Sequence, residues 1–212
     1  MKFSQFLQKV RDLPVIDTRI LSIGLTDSSS MKVQVSRWVK SGKLIQLKRG
    51  LYLLAEPYRK THPSEFYVAA ILKSPSYMSL EKVLEYYGLI PEAVATYTSV
   101  TTRRPESIHT PVGTFDYRHI KPSLFWGYTS LAFNGQTVFI ATPEKALLDF
   151  FYLNPQLVSL EYLNGLRLQH VEDIKLSRLS EYARRFAKPG LRRAVKLLAQ
   201  YIKHHKKGVK KL

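Results

Sequence analysis

Asp116, Glu144 and Lys145 are the residues whose types could cut a phosphodiester bond, with acids to hold a divalent metal and a lysine to steady developing charge. Metal-dependent endonucleases place the acid and the lysine one residue apart on a strand. Here Glu144 and Lys145 are adjacent, and Thr142-Pro143-Glu144 reads as a helix start, where the dipole accounts for an acidic residue without any chemistry. A nuclease would show metal-dependent cleavage abolished by Asp116→Asn. Other reactive patterns are missing. The sequence has no G-x-S-x-G and no H-E-x-x-H, and Arg37 stands where a phosphate loop ending at Gly42-Lys43 would need its upstream glycine. His62, His109, His119, His170, His204 and His205 show no ligand spacing, and the absence of cysteine excludes disulfides, Cys-ligated metals and thiol catalysis. We expect no catalytic residue, metal or cofactor, and no enzymatic activity of the chain's own.

The other chemistry legible in the residues is contact with DNA. The polar run Thr26 to Ser30 leads into a helix from Met31 to Ser41, with Gly42 as its terminator. At about 100° per residue, Met31, Val35, Trp38 and Val39 form a buried stripe. Ser29, Val33, Ser36, Arg37 and Lys40 lie opposite, flanked by Lys32 and Gln34. A solvated face avoids valine, whereas a helix in the major groove can set it against a thymine methyl while Ser and Arg reach base edges and phosphates. The strands Leu44 to Lys48 and Leu51 to Leu54 then turn at Arg49-Gly50, a basic hairpin placed as the wing of a winged helix-turn-helix. Its candidate contacts are Lys43 at the base and Lys48 and Arg49 at the tip. With Ser28, Ser29, Ser30, Lys32, Val33, Ser36, Arg37 and Lys40 they make the expected DNA-binding set.

Elements to carry these residues follow from the pattern. Phe3, Phe6, Leu7 and Val10 recur at helical spacing before Asp12-Leu13-Pro14, and Asp17 can cap a second helix bearing Ile20 and Leu21 and ending near Gly24. The predicted domains are residues 1–56, a winged helix-turn-helix, and residues 57–212, a mixed α/β domain with a basic helical end at 184–212, an α+β fold overall. In the second domain His62-Pro63 opens one helix and Ser79 caps another, which Gly88 closes. Strands are predicted over 93–101, 107–109, 114–120, 125–133 and 136–141, with Asn134-Gly135 as the hairpin turn. The aromatic groups Tyr86-Tyr87, Tyr97 and Phe115-Asp116-Tyr117 could stack unpaired bases but are expected in the core. Helices are predicted over 158–163, 174–186 and 191–202.

The charge sits at the two ends. Of a net +17, residues 1–56 carry 10 basic and 4 acidic side chains, residues 57–183 carry 12 of each, and residues 184–212 carry 11 basic and no acidic ones. Cations of this kind attract a polyanion because neutralising phosphates releases counterions. In the last helix Leu191, Ala194, Val195, Leu198, Tyr201 and Ile202 share one face. Arg192, Arg193, Lys196 and Lys203 lie opposite, and Lys206 and Lys207 follow; these six are the expected accessory phosphate contacts. An anionic membrane surface or simple solubility could use the same charge. No apolar run is long enough to cross a bilayer and no leader is evident, so a cytoplasmic protein without membrane attachment is expected.

Four segments carry a resemblance: WVKSGKLIQLKRGLYLL at 38–54, PSYMSLEKVLEYYGLIPE at 75–92, TSVTTRRPESI at 98–108 and TPEKALLDFFY at 142–152. In order and spacing they resemble AbiEi-type antitoxins of type IV toxin–antitoxin pairs, which abort phage infection. The resemblance spans about residues 1–152. It implies an amino-terminal winged helix that represses its own operon at promoter inverted repeats in double-stranded DNA, with monomers binding cooperatively as one arrangement. It also implies a second domain that neutralises a nucleotidyltransferase toxin without a stable complex. The recognition helix carries over to Ser28–Lys40 and the wing to Lys43–Arg49, while Arg103-Arg104 and the TPEKALLDF helix are the antitoxin candidates. The basic tail after Phe186 lies outside the pattern. A stand-alone transcription factor sensing a small ligand through its middle domain is the alternative. Residues 1–56 alone are expected to keep some DNA affinity and to lose toxin rescue.

Overall fold

The computed structural model describes residues 1–21, 28–155 and 159–209, with the side chains of 21, 28, 29, 160 and 204–209 outside the description. The described residues form a mixed α+β fold with two sheets. Helix α1 (Phe3–Val10), strand β1 (Ile16–Asp17), helices α2 (Thr18–Leu21) and α3 (Ser28–Lys40) and strands β2 (Leu44–Lys48) and β3 (Leu51–Leu54) come first. Strands β1, β3 and β2 form an antiparallel sheet in that order. Asp17 caps α2 as expected, its carboxylate accepting the Arg19 N–H at 2.9 Å. The expected helix end near Gly24 and the run Thr26-Asp27 lie outside the described residues.

A small core joins these elements. Phe6, Val10, Ile16, Met31, Val35, Trp38, Leu44 and Leu54 bury together, and the Trp38 ring meets Phe6 at 4.6 Å and Phe3 at 5.4 Å. The hairpin β2–β3 belongs to two cores, because strand residues alternate between faces. Leu44 and Leu54 pair and face the small core; Ile45 and Leu53 pair and face the larger one, together with Leu47 and Leu51. The register shifts between Gln46 and Lys48, so that Lys48 rather than Leu47 stands opposite Leu51.

The larger sheet has the strand order β6-β7-β5-β4-β9-β8, from β4 (Ser76–Met78), β5 (Thr96–Thr101), β6 (Glu106–Thr110), β7 (Gly113–His119), β8 (Tyr128–Phe133) and β9 (Gln136–Ala141). The pairs β5–β7 and β4–β9 are parallel and the others antiparallel. Both faces are covered at the centre, so β4 is buried at every position. On one side Tyr117 reaches α4 (Glu65–Leu72), its hydroxyl donating to the Ala69 carbonyl at 2.6 Å. On the other Tyr77 reaches α6 (Pro143–Leu153), which is buried from Glu144 through Phe151. Helices α7 (Leu160–Gly165), α8 (Leu176–Phe186) and α9 (Pro189–Val209) pack beyond α6.

Two caps differ from expectation. Ser64, not the His62-Pro63 pair, starts α4, its hydroxyl accepting the Tyr67 N–H at 3.2 Å. Ser79 does not cap α5 (Glu81–Tyr86), which begins after Leu80 at φ +62°. Its hydroxyl instead donates to the buried Asp149 carboxylate at 2.8 Å, a partner a cap would have to give up. Strand β5 starts at Thr96 and β8 at Tyr128, later than periodicity indicates. Phe115 and Tyr117 are core residues, as expected, whereas Tyr87 and Tyr97 are half-buried and Tyr86 is exposed, against expectation. Among the described residues no helix is long and apolar enough to cross a membrane.

Candidate nucleic-acid interface

Helix α3 divides its side chains as its wheel requires. Met31, Val35 and Trp38 are buried and Val39 is half-buried against the small core, while Ser30, Lys32, Ser36, Arg37 and Lys40 are exposed. Val33 stands 51 % exposed among those polar residues. Ser28 and Ser29 occupy the first turn of α3, and their side chains lie outside the described residues. Gly42 ends the helix at φ +69°, its N–H bonded to the Val39 carbonyl at 3.0 Å.

A groove of about 740 Å³ runs between α3 and the hairpin. Lys32, Ser36 and Lys40 come to it from the helix, Gln46, Arg49 and Tyr52 from the hairpin, and Thr18 and Arg19 from α2. Gln46 and Tyr52 are paired across the strands on the face turned towards α3. Arg19, Gln46 and Tyr52 were not expected here. The signal was available for the last two, since they alternate with Ile45 and Leu53 and must face the other way. Arg19 is set by its neighbour: its guanidinium meets the Asp17 carboxylate through Nε at 2.9 Å and Nη2 at 2.6 Å. That hydrogen bonding holds the Asp17 carboxyl below the usual range. Thr18 fixes the turn, its N–H and hydroxyl both donating to the Gly50 carbonyl.

The three hairpin cations differ in their engagement. Arg49 is exposed at the turn beside Gly50, whose φ of +90° favours glycine. Lys48 lies 3.6 Å from Glu106 on β6, and Lys73 pairs with the other oxygen of that carboxylate. Hydrogen bonding to Lys73, with Lys48 nearby, keeps the Glu106 carboxyl below its usual range. Lys43 is half-buried with its ammonium 4.8 Å above the Phe3 ring, bracing α1. In α9, Arg192, Arg193, Lys196 and Lys203 are exposed opposite the buried Leu191, Ala194, Val195, Leu198, Tyr201 and Ile202. The side chains of Lys206 and Lys207 lie outside the described residues.

The residues that invited a nuclease reading have other partners. Glu144 is buried, one oxygen accepting the Lys175 N–H at 2.9 Å and the other 3.7 Å from Arg178. Lys145 is buried against Asp149 and donates to the Tyr77 hydroxyl at 2.6 Å. Asp116 is half-buried on β7, with β5 between it and the strand carrying Tyr77. Among the described residues no three His, Asp or Glu side chains gather as metal ligands. The sequence matches no protein-family model and no curated protein.

Proposed function

We propose that this protein is a cytoplasmic DNA-binding repressor of its own operon, and the antitoxin of a type IV pair acting against a nucleotidyltransferase toxin without a stable complex. In this reading residues 1–56 serve as a winged helix-turn-helix, with α3 as recognition helix and β2–β3 as wing, and the chain carries no catalysis of its own. One observation carries the DNA half: Val33, half exposed, shares the outward side of α3 with Lys32, Ser36, Arg37 and Lys40, beside the cationic turn at Arg49. A small apolar group ringed by donors and cations suits a base edge with its flanking phosphates, and a merely solvated face gains nothing from it. The α9 cations add phosphate contacts outside the main site. The antitoxin half rests on the resemblance of the four segments to AbiEi-type proteins.

A gel shift with the intergenic fragment upstream of the gene tests the DNA half. Binding should weaken steeply with salt, since each phosphate neutralised releases counterion. Arg37→Ala should lose more affinity for that fragment than for random DNA. Equal loss on both would make Arg37 a phosphate contact, and a blank shift at low ionic strength would end the reading. For the antitoxin half, co-expression with a nucleotidyltransferase encoded beside the gene should restore growth.

A further inference from the structure

A second groove, of about 530 Å³, opens where the end of α6 meets the start of α9, away from α3. Phe151, Tyr152, Leu153, Pro155 and Leu191 line it with apolar surface, Lys188 and Arg193 bring two cations and His119 an imidazole, and no carboxylate lines it among the described residues. The imidazole is held in place. His119 Nδ1 lies 3.0 Å from the Arg103 carbonyl, which only accepts, so Nδ1 carries the proton and Nε2 is left for another partner. Arg103 is itself fixed, its Nε donating to the Ser74 carbonyl at 2.8 Å and its N–H to Thr101 Oγ1 at 3.1 Å. Tyr152 is braced by Phe186, ring centres 5.3 Å apart. Lys188 and Arg193 are exposed, and no carboxylate among the described residues pairs with either.

We propose that this groove binds a nucleoside phosphate, with the phosphates on Lys188 and Arg193, a sugar hydroxyl donating to His119 Nε2, and the base against Tyr152 and the other apolar residues. The ligand class follows from this mixed lining. A bare phosphate would leave the apolar lining wet, and an apolar ligand would desolvate two cations without compensation. A ring joined to phosphate satisfies both, and the volume lies within the range of about 300–1,000 Å³ typical of single small ligands. Stacking of a base on an aromatic side chain favours the same orientation. The site is independent of the reading of α3. Two sources offer this chemistry, a free nucleotide and the phosphorylated end of a single strand.

The test uses the full-length protein titrated with ATP and, separately, with a 5′-phosphorylated trinucleotide and its 5′-hydroxyl counterpart. One of the two phosphorylated probes should saturate the protein, and the tighter of them identifies the source. The double variant Lys188→Gln/Arg193→Gln should weaken that binding more than about tenfold, because charge-assisted contacts to phosphate are the strong ones. Gly190→Trp should abolish it by plugging the groove. A Cβ at Gly190, which lines the groove, meets nothing within 4 Å, so the thermal midpoint of this variant should hold, and the double surface variant decides the matter if it does not. Arg37→Ala should leave nucleotide binding unchanged. Failure of both probes to saturate at millimolar concentration, binding that survives both groove variants, or equal competition by tripolyphosphate would overturn the proposal.

Discussion

Replacing Lys145 by Met should cost the fold about 3–5 kcal/mol at neutral pH, the loss expected when one partner of a buried ion pair is removed and the other is left uncompensated. Lys145 and Asp149 are both fully buried, one helical turn apart on α6. The ammonium also donates to Tyr77 and lies about 5 Å from the Trp126 and Phe186 ring centres. The second carboxylate oxygen accepts from Ser79 at 2.8 Å and from Tyr77 at 3.0 Å. Burial pushes the Asp149 carboxyl above its usual range and the Lys145 ammonium below its own, so removing either member should leave a pH signature of opposite sign. In Lys145→Met the carboxyl loses its cation and its folded pKa rises further. A raised folded pKa gives stability that is present below the unfolded value of about 4 and lost as pH rises through the folded value, so the penalty grows with pH. In Asp149→Asn the lone ammonium has a depressed folded pKa. Its penalty is full at low pH and shrinks as pH rises from that value towards about 10. Urea unfolding across pH measures both slopes, and scanning calorimetry should show a loss of about 6–20 °C at neutral pH. A penalty under about 1 kcal/mol in Lys145→Met, or slopes of the same sign in the two variants, would refute this account of a dry, mutually dependent pair.

Three further outcomes follow from particular contacts. Gly127→Ala should destabilise by about 1–3 kcal/mol, because the residue sits at φ +79° and an added Cβ would lie 3.0 Å from the Lys145 side chain; an unchanged urea midpoint would contradict it. Glu106→Gln should release Lys48 and raise affinity for the upstream DNA a few-fold at low salt, an effect that vanishes at high salt; fluorescence anisotropy showing weaker binding would mean the ion pair positions the hairpin for DNA. Val33→Asp should stay within about 0.5 kcal/mol of the parent in stability, since the side chain is mostly exposed, yet lower operator affinity more than about tenfold; undiminished DNA binding would remove α3 from the interface.

The amino-terminal helices were legible because the signal is local. The 3.6-residue period of Met31, Val35 and Trp38 states which side of α3 is buried before any partner is known, and the same holds for Leu191 to Ile202 in α9. The turns at Arg49-Gly50 and Asn134-Gly135 were equally plain, since both need positive φ. Strands β1 and β4, of two and three residues, carry no period and exist only through pairing with β3, β5 and β9. Ser79 had the look of a helix cap because caps are recognised by neighbours in sequence, whereas its partner Asp149 lies far along the chain.

For the candidate interface, residue type and helical spacing by themselves determined which α3 side chains turn outward and that both chain ends are cationic. Tertiary structure alone decided how those cations are engaged: Lys48 against Glu106, Lys43 over Phe3, and Arg19, Gln46 and Tyr52 in the groove. It also decided that the hairpin's second face is buried, so residues 1–56 in isolation would expose Leu47, Leu51 and Leu53 and should not be expected to fold as they do in the whole chain. The reason is physical. A helix or a turn is chosen by interactions spanning a few residues, which the sequence states directly, while an ion pair or a shared core forms only when distant segments are brought together by burial.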